Sequence, residues 1–385
     1  MFKFLLFLFL LPASLFAQNV VTGKLMGFND KMPIANVSVF LNNSSIGNET
    51  QQDGSFKLTN VKNGQYDMVV SCVGYVTYHQ QIFVYNNNLN LPDIELEISI
   101  SSLNEVKIVS KQKKIKTDPN RKRYIRMFTE AFFGNTKNAR DCKLLNPELL
   151  DFNFEQNNDK LSATSHGFLI LENKALGYRI KYLLTSFLID PGDHIIYYTG
   201  SSVFFDIDST AAQQKIWRQK RVKAYLGSEM HFLRACIANQ LTDDGFTVRK
   251  LVRTPIVDRP SDSVIYANIK ESSKSSALHY WKKLAGTIRY NQKLFDRHLY
   301  SYEFISKTDT KGIYALAYPY CLMINYGNER STLPDDNTII TFTEPYAYFD
   351  SNGVIANPQS NKVEDYWSTQ RIAELLPVDY ELPKE

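Results

Sequence analysis

Cysteine is scarce in this chain, and its four copies lie far apart. Cys72, Cys142, Cys236 and Cys321 are separated by 70, 94 and 85 residues. No CxxC pair or zinc-knuckle spacing occurs, so the usual cysteine-based metal and redox motifs are excluded. Spacing alone does not reveal disulfide pairing. We predict mostly free, buried thiols, because an unpaired cysteine commonly behaves as a small core residue.

Familiar catalytic signatures are also missing. A zinc carboxypeptidase needs two histidines and a carboxylate, usually as HxxE or HExxH with a distant third ligand. Neither pattern occurs at any of the six histidines, which are His79, His166, His194, His231, His279 and His298. GxSxG, Walker A and GxGxxG motifs are absent too. We therefore predict no catalytic residue, no cofactor-binding residue and no metal ligand. A hydrolase of unfamiliar type in residues 124–385 stays open as an alternative.

Long apolar runs are absent apart from the one at the start. There, a lysine precedes eight apolar residues that end before Pro12, and small residues lead to Ala17 and Gln18. This is the pattern of a secretory signal peptide, and it is shorter than the roughly 20 apolar residues of a membrane span. We predict that residues 1–17 are removed and that the mature chain is exported without a transmembrane segment.

The largest excess of charge of one sign lies in a single segment. The chain carries a net charge of +4, whereas residues 111–126 alone carry +7, which leaves −3 on the rest. We predict that residues 111–123 form a basic linker and that nucleic acid is not a partner. Contact of this linker with anionic lipid or surface polysaccharide is the alternative.

Strand and turn signals fill residues 19–97 of the predicted first domain, 18–110. Val37, Val39 and Leu41 alternate with polar residues, which predicts one buried face. Asp53-Gly54 is a hairpin turn signal. Later positions at period two predict further core residues, and those we expect inside are Phe56, Tyr66, Met68 and Val70. With no helical period, this part is predicted to be a small antiparallel β-sandwich.

Five segments of this first domain resemble a known family. The segments concerned are VVTGKL, PIANV, SIGNETQQDGSFKL, NGQYDMVVSCVGY and DIELE. Over residues 20–97 they are similar to the carboxypeptidase regulatory-like domain, which implies a transthyretin-like β-sandwich without catalytic residues. The same module also precedes outer-membrane transporters, and SLNEVKIVSKQ at 102–112 resembles the stretch that follows it there. We interpret 102–112 as a strand or arm that closes the first domain.

Residues 124–385 mix helical and strand patterns, which predicts an α+β domain. RYIRMFTEAFFGN has Tyr124, Phe128 and Phe132 at helical spacing. One long helix is predicted from AAQQKIW to IANQL and ends at Asp244-Gly245. A turn is predicted at 351–353, a strand at HLYSYEFISK and a short helix at STQRIAELLP.

The long helix carries two groups of candidate site residues. Its basic residues could bind an anion or polysaccharide, but a solvated outer face is the preferred interpretation; they are Lys215, Arg218, Lys220, Arg221 and Lys223. His231 and Arg234 lie one turn apart and could line a cleft, although packing is the more common role of such a pair.

A second resemblance rests on residues 142–184 and on the segments KIWRQKRVKAYLGSEMHFLRA and DYWSTQRIAELLPVDY. With these, most of the chain is similar to carboxypeptidase-like regulatory domain-containing proteins of bacterial envelopes, a resemblance that implies no activity. The expected location is therefore the periplasm or outer membrane of a Gram-negative cell. The predicted function is a non-enzymatic envelope protein whose second domain binds a protein or glycan partner. An accessory subunit of an outer-membrane transporter or adhesin is the other alternative.

Overall fold

The computed structural model describes residues 19–99, 118–156, 159–192, 195–272, 275–328 and 330–383. The predicted signal peptide with its cleavage site at Ala17 and Gln18, the segment 102–112 and linker residues 111–117 lie outside these ranges. In the described part the protein is rich in β-structure, with strands arranged in five sheets.

The N-terminal region is a β-sandwich, which confirms the sequence-based prediction. Its strands are β1 (Asn19–Gly27), β2 (Ser38–Leu41), β3 (Gly47–Glu49), β4 (Ser55–Val61), β5 (Gly64–Ser71), β6 (Tyr78–Val84), β7 (Leu89–Asn90) and β8 (Ile94–Leu96). One sheet has the order β4-β1-β7 with β8 also on β1, and the other has the order β3-β2-β5-β6. The expectation of a fully antiparallel sandwich is wrong. After β6 the chain crosses back, so that β7 and β8 run parallel to β1.

The sandwich core contains the residues that alternation predicted. Phe56 and Tyr66 are 3% and 4% exposed, and Met68 and Val70 are fully buried. The ring of Phe56 packs so closely on β1 that a Cβ added at Gly23 would lie 2.7 Å from it. This close approach explains why a glycine occupies the middle of a strand.

A six-stranded sheet forms the middle of the chain. It has the order β10-β11-β13-β12-β9, and β14 pairs with the other edge of β13. The strands are β9 (Cys142–Leu144), β10 (Leu150–Glu155), β11 (Lys160–Ser165), β12 (Phe168–Asn173), β13 (Tyr178–Asp190) and β14 (Ile195–Asp206). Helix α1 (Arg121–Phe133) packs Phe128 and Phe132 against this sheet, with the Phe128 and Phe187 ring centroids 4.6 Å apart.

Helix α1 begins inside the predicted linker, so the linker boundary at 123 is wrong by three residues. The Arg121 guanidinium donates hydrogen bonds to the carbonyls of Pro147, Glu148 and Leu150 at 2.9–3.2 Å. These bonds fix the first helical turn against the start of β10. These three residues are therefore part of the folded structure, although the segment is basic.

The long helix predicted after residue 210 is two helices, α2 (Ala211–Tyr225) and α3 (Glu229–Ala238). Gly227 lies between them with φ +79°, a backbone conformation that helices do not contain. Ser228 then caps α3 by accepting a hydrogen bond from the His231 backbone N–H. The helix ends at left-handed Asn239, before the predicted stop at Asp244-Gly245.

A five-stranded and a three-stranded sheet complete the fold, with orders β16-β15-β19-β20-β22 and β17-β18-β21. Their strands are β15 (Phe246–Pro255), β16 (Tyr290–His298), β17 (Ile305–Lys307), β18 (Ile313–Leu316), β19 (Cys321–Tyr326), β20 (Asn337–Phe342), β21 (Ala347–Asp350) and β22 (Asn361–Asp365). The helices are α4 (Asp262–Glu271), α5 (Ser275–Ala285) and α6 (Tyr366–Thr369). Sequence patterns did not predict β15, α4 or α5.

Two predictions in this part need correction. HLYSYEFISK is not one strand, because Ser301–Glu303 is a 3₁₀ turn whose Glu303 carboxylate accepts from the Tyr300 backbone N–H at 2.9 Å. STQRIAELLP is not one helix, because α6 ends at Thr369 and a separate 3₁₀ turn covers Ile372–Glu374. The predicted turn at 351–353 is confirmed, with Gly353 at φ +80°.

The sandwich packs directly against the rest of the chain. Phe40 and Val69 on its outer face are buried with Val203 of β14. Ser44 forms a β-bridge to Val203, and Val378 from the C-terminal segment enters the sandwich core. Both faces of β2 are therefore buried, although alternation predicted one.

Candidate functional site

A large cleft lies where the β13–β14 hairpin, the paired strands β15 and β16 and the segment 355–371 meet. Its volume is about 1500 Å³. Its walls combine aromatic, aliphatic and polar side chains, among them Tyr197, Ile288, Tyr290, Gln359, Lys362 and Trp367. Ile288 is 71% exposed at this surface. Clefts of mixed lining are the usual places where proteins bind ligands.

Ion pairs fix one wall of the cleft. The Arg253 guanidinium, on β15, holds the Glu364 carboxylate of β22 by two hydrogen bonds of 2.6 and 2.9 Å. The two side chains together bridge the two strands that separate β15 from β22 in the sheet order. Arg259 and Arg289 both contact Asp262 at 2.6 Å. Forked arginine–carboxylate contacts are geometrically specific, so this wall is held in one arrangement.

A smaller cavity of about 370 Å³, here called the inner pocket, adjoins the cleft. The two cavities share Glu229, Ile355, Pro358, Trp367 and Arg371 in their walls. The inner pocket is otherwise lined mainly by apolar and aromatic side chains, including Tyr182, Tyr198 and Leu376. A few polar groups thus converge on an apolar space beside the open cleft.

The Glu229 carboxyl, in the wall shared by both cavities, has a strongly raised pKa. Burial of its carboxyl raises its pKa from 4.5 to about 7, although it occupies the first turn of α3, where the helix dipole favours a negative charge. Burial also raises the pKa of the Tyr198 phenol. The charge of Arg371 lowers this pKa, and the charge of Glu229 raises it. These three groups therefore lie near one another. Across the cleft, burial and the charge of Glu364 raise the pKa of Asp365.

The pair His231 and Arg234 has a packing role. His231 is buried among the rings of Tyr225, Phe246 and Tyr326, and its Nδ1 accepts from the Gly227 backbone N–H at 3.1 Å. Burial lowers its pKa. Arg234 donates to three backbone carbonyls at 2.6–2.9 Å; they belong to Asn352, Val378 and Tyr380. Neither residue lines the cleft.

Of the basic residues on α2, Arg221 departs from the predicted solvated face. Its guanidinium lies 3.8 Å from the Tyr178 ring centroid, donates to the carbonyls of Leu176 and Gly177, and pairs with Asp206 at 2.6 Å. Lys220 is half-buried, and the other three are exposed. The buried Trp217 is the anchor of this helix, and its indole N–H donates to the Lys174 carbonyl.

Within the described residues, no group of three or more His, Cys, Asp or Glu is placed to hold a metal ion. In the same ranges, no helix combines the length and the apolar content that crossing a membrane requires. The four cysteines are free; Cys236 and Cys321 are buried, and the other two are half-buried.

Sequence reasoning missed the residues of the cleft. Arg253 and Glu364 are 111 positions apart, and no short motif links them. Glu229 stood inside the helix that was predicted to be continuous. The only local signal was Gly227-Ser228, a helix stop followed by a capping residue, which would have placed Glu229 at a helix start.

The family model of the CarboxypepD_reg-like domain matches residues 21–108. This confirms the family assignment of the N-terminal region, and the match covers less than a quarter of the chain. Comparison with curated proteins gave no match.

Similar solved structures share little sequence with this chain. A cohesin–X-dockerin complex from Acetivibrio cellulolyticus is 20% identical over 20% of this chain and 52% of that chain, with a TM-score of 0.18. The pilus 2b backbone protein of group B streptococcus is 17% identical over 22% and 43%, with a TM-score of 0.19. The chain thus spans about half the length of these two. A Bacteroides fragilis protein of unknown function, suggested to be membrane-associated, is 10% identical over 90% and 93%, with a TM-score of 0.17. At these TM-scores none of the three defines the fold.

Proposed function

We propose that this chain is an exported, non-enzymatic binding protein of a Gram-negative envelope, and that its cleft receives a segment of a protein or glycan partner. The proposal rests on one observation: the cleft and the inner pocket adjoin and share Glu229 and Arg371 in their walls. An apolar floor with a few converging polar groups is the usual composition of a binding site. Ile288 and Tyr290 at the rim offer exposed apolar surface that a partner would cover.

The proposal includes two domains and an export signal. The transthyretin-like sandwich would serve as a scaffold, and residues 124–385 would form the α+β domain that carries the cleft. Residues 1–17 would be removed on export, because their pattern is that of a signal peptide. Mass spectrometry of the protein from envelope fractions should give Gln18 as the first residue; a retained Met1 would contradict export.

The binding proposal is tested by retention of envelope components on the immobilised protein. Detergent-solubilised envelope protein and released envelope glycan are passed separately over the wild type, Ile288→Ala/Tyr290→Ala and a control, Lys307→Ala. Lys307 is exposed on β17 and does not line the cleft. A component retained by the wild type and control but lost from the double variant supports the proposal. Equal retention by all three, or none by any, would refute it.

The same experiment addresses the accessory-subunit alternative. Recovery of a transporter or adhesin among the cleft-dependent components would identify this chain as its subunit.

A hydrolase remains the second candidate, because two carboxyl groups with raised pKa values line one cleft. Glu229 and Asp365 would be the acid–base pair of such an enzyme. Hydrolysis of released envelope glycan or of peptide by the wild type, abolished in Glu229→Gln and retained in Glu130→Gln, would establish it. Glu130 is an exposed glutamate on α1. Activity that chelators remove together with bound zinc would instead indicate a metal enzyme.

A further inference from the structure

Four tyrosines crowd two short turns on the C-terminal sheets. They come from YSYE at 300–303 and YPYC at 318–321. Tyr300, Tyr302 and Tyr320 are 57%, 73% and 44% exposed, and Tyr318 is half-buried. A contiguous group of exposed aromatic rings commonly marks a binding surface. None of the four lines the cleft.

The first two rings are held in a fixed arrangement. Tyr300 and Tyr302 stack with centroids 5.6 Å apart and planes 6° from parallel. The turn beneath them is fastened because the Glu303 carboxylate accepts from the Tyr300 backbone N–H at 2.9 Å and from Arg297 at 2.5 and 3.2 Å. A pre-organised aromatic surface loses little conformational entropy when it binds.

The second pair of rings belongs to the same neighbourhood. Tyr318 and Tyr320 have centroids 6.2 Å apart. Burial raises the pKa of the Tyr318 phenol, and the charges of Glu303 and Arg297 act on it as well. The Ala317 backbone N–H donates to the Phe304 carbonyl at 2.9 Å, so the two turns lie side by side next to the Arg297–Glu303 ion pair, and we call the four rings the tyrosine surface.

Two lysines add positive charge beside Tyr320 and the neighbouring Phe295. The Lys250 ammonium lies 3.7 Å from the Tyr320 ring centroid and 4.8 Å from that of Phe295. The Lys293 ammonium lies 5.0 Å from the Phe295 centroid. In the described ranges no ion pair within 4.0 Å joins either lysine to a carboxylate. Their charges are therefore available to an anionic group.

We propose that the tyrosine surface with Lys250 and Lys293 binds an acidic polysaccharide. The C–H faces of sugar rings would stack on the tyrosines, the phenol hydroxyls would hydrogen-bond ring hydroxyls, and the lysines would pair with the carboxylates. Nucleic acid fits less well, because its affinity comes from many cationic contacts along a basic face, whereas the described residues place two unpaired lysines here, Lys250 at Tyr320 and Lys293 at Phe295. The inference is independent of the proposed function, since no residue of the tyrosine surface lines the cleft.

The test uses the mature chain in affinity electrophoresis through gels that contain polygalacturonate, alginate or hyaluronate, with neutral pullulan for comparison. The wild type should be retarded by at least one acidic polymer and not by pullulan. Tyr300→Ala/Tyr302→Ala should weaken that retardation about tenfold or more. Lys250→Gln/Lys293→Gln should weaken it and make the remainder less sensitive to salt, because fewer counterions are released.

The matched control is Tyr280→Ala. Tyr280 is 57% exposed, as Tyr300 is, and its ring contacts that of Trp281 at a centroid distance of 5.1 Å, but it lies on α5. The control should bind like the wild type, and all variants should melt like it. No retardation by any acidic polymer, equal losses in test and control variants, or equal displacement by poly-glutamate or single-stranded DNA would overturn the proposal.

Discussion

Glu229 should make the stability of this protein fall as pH rises from about 4.5 to about 7. Its carboxyl has a pKa of about 7 in the folded protein, against 4.5 as the ordinary value, because burial disfavours the charged form. Below pH 4.5 the group is protonated in both states. Above it, the unfolded chain releases the proton while the folded chain keeps it, so the free energy of unfolding decreases until about pH 7 and then levels off.

The size of the effect follows from the two pKa values. One pKa unit corresponds to about 1.4 kcal/mol, so the difference between 4.5 and about 7 amounts to about 3 kcal/mol. Glu229→Gln removes the ionisation and keeps the shape. We therefore expect the variant to match the wild type at acidic pH and to be more stable by up to about 3 kcal/mol above neutrality.

Urea denaturation of the wild type and Glu229→Gln across this pH range measures the difference. Glu130→Gln is the control, because Glu130 is exposed and has no ion pair among the described residues. The control should follow the wild type at every pH. If the Glu229→Gln and wild-type curves stay parallel, the carboxyl is not enclosed as described, and its role in the inner pocket fails with it.

Three further predictions concern the architecture. Phe56→Ala should lower the free energy of unfolding of the sandwich by about 3–5 kcal/mol in urea denaturation, and a loss within error of zero would contradict its core position. Gly227→Ala should lower the melting temperature, because φ is +79° and the new Cβ would lie 2.8 Å from the Tyr326 ring. Gly286→Ala, whose nearest contact is 3.5 Å, should change it little, and equal shifts would refute the break between α2 and α3. Brief trypsin treatment should cut first at the lysines of 111–117, while gel filtration should show the two products still associated through the sandwich contacts. Separation of the products would contradict that packing.

Local sequence patterns determined the positions whose burial follows from the period of their own strand or helix. Period two in β4 and β5 placed Phe56, Tyr66, Met68 and Val70 in the sandwich core, because alternate side chains of a strand face the same way. Helical spacing placed Phe128 and Phe132 on α1 for the corresponding reason. The sandwich family followed from an ordered set of turns and strands within about 80 consecutive residues.

Tertiary structure alone decided what depends on distant partners. Phe40 is buried because Val203 of another sheet covers it, and alternation within β2 carries no information about that neighbour. Helices α2 and α3 separate at Gly227 because a positive φ and the packing of Tyr326 outweigh a helical pattern that continues through it. The cleft likewise exists only after Arg253 reaches Glu364 and the segment around Trp367 and Arg371 closes over α3. Its residues come from separate parts of the chain, so their charges and burial are set by packing that no local period encodes.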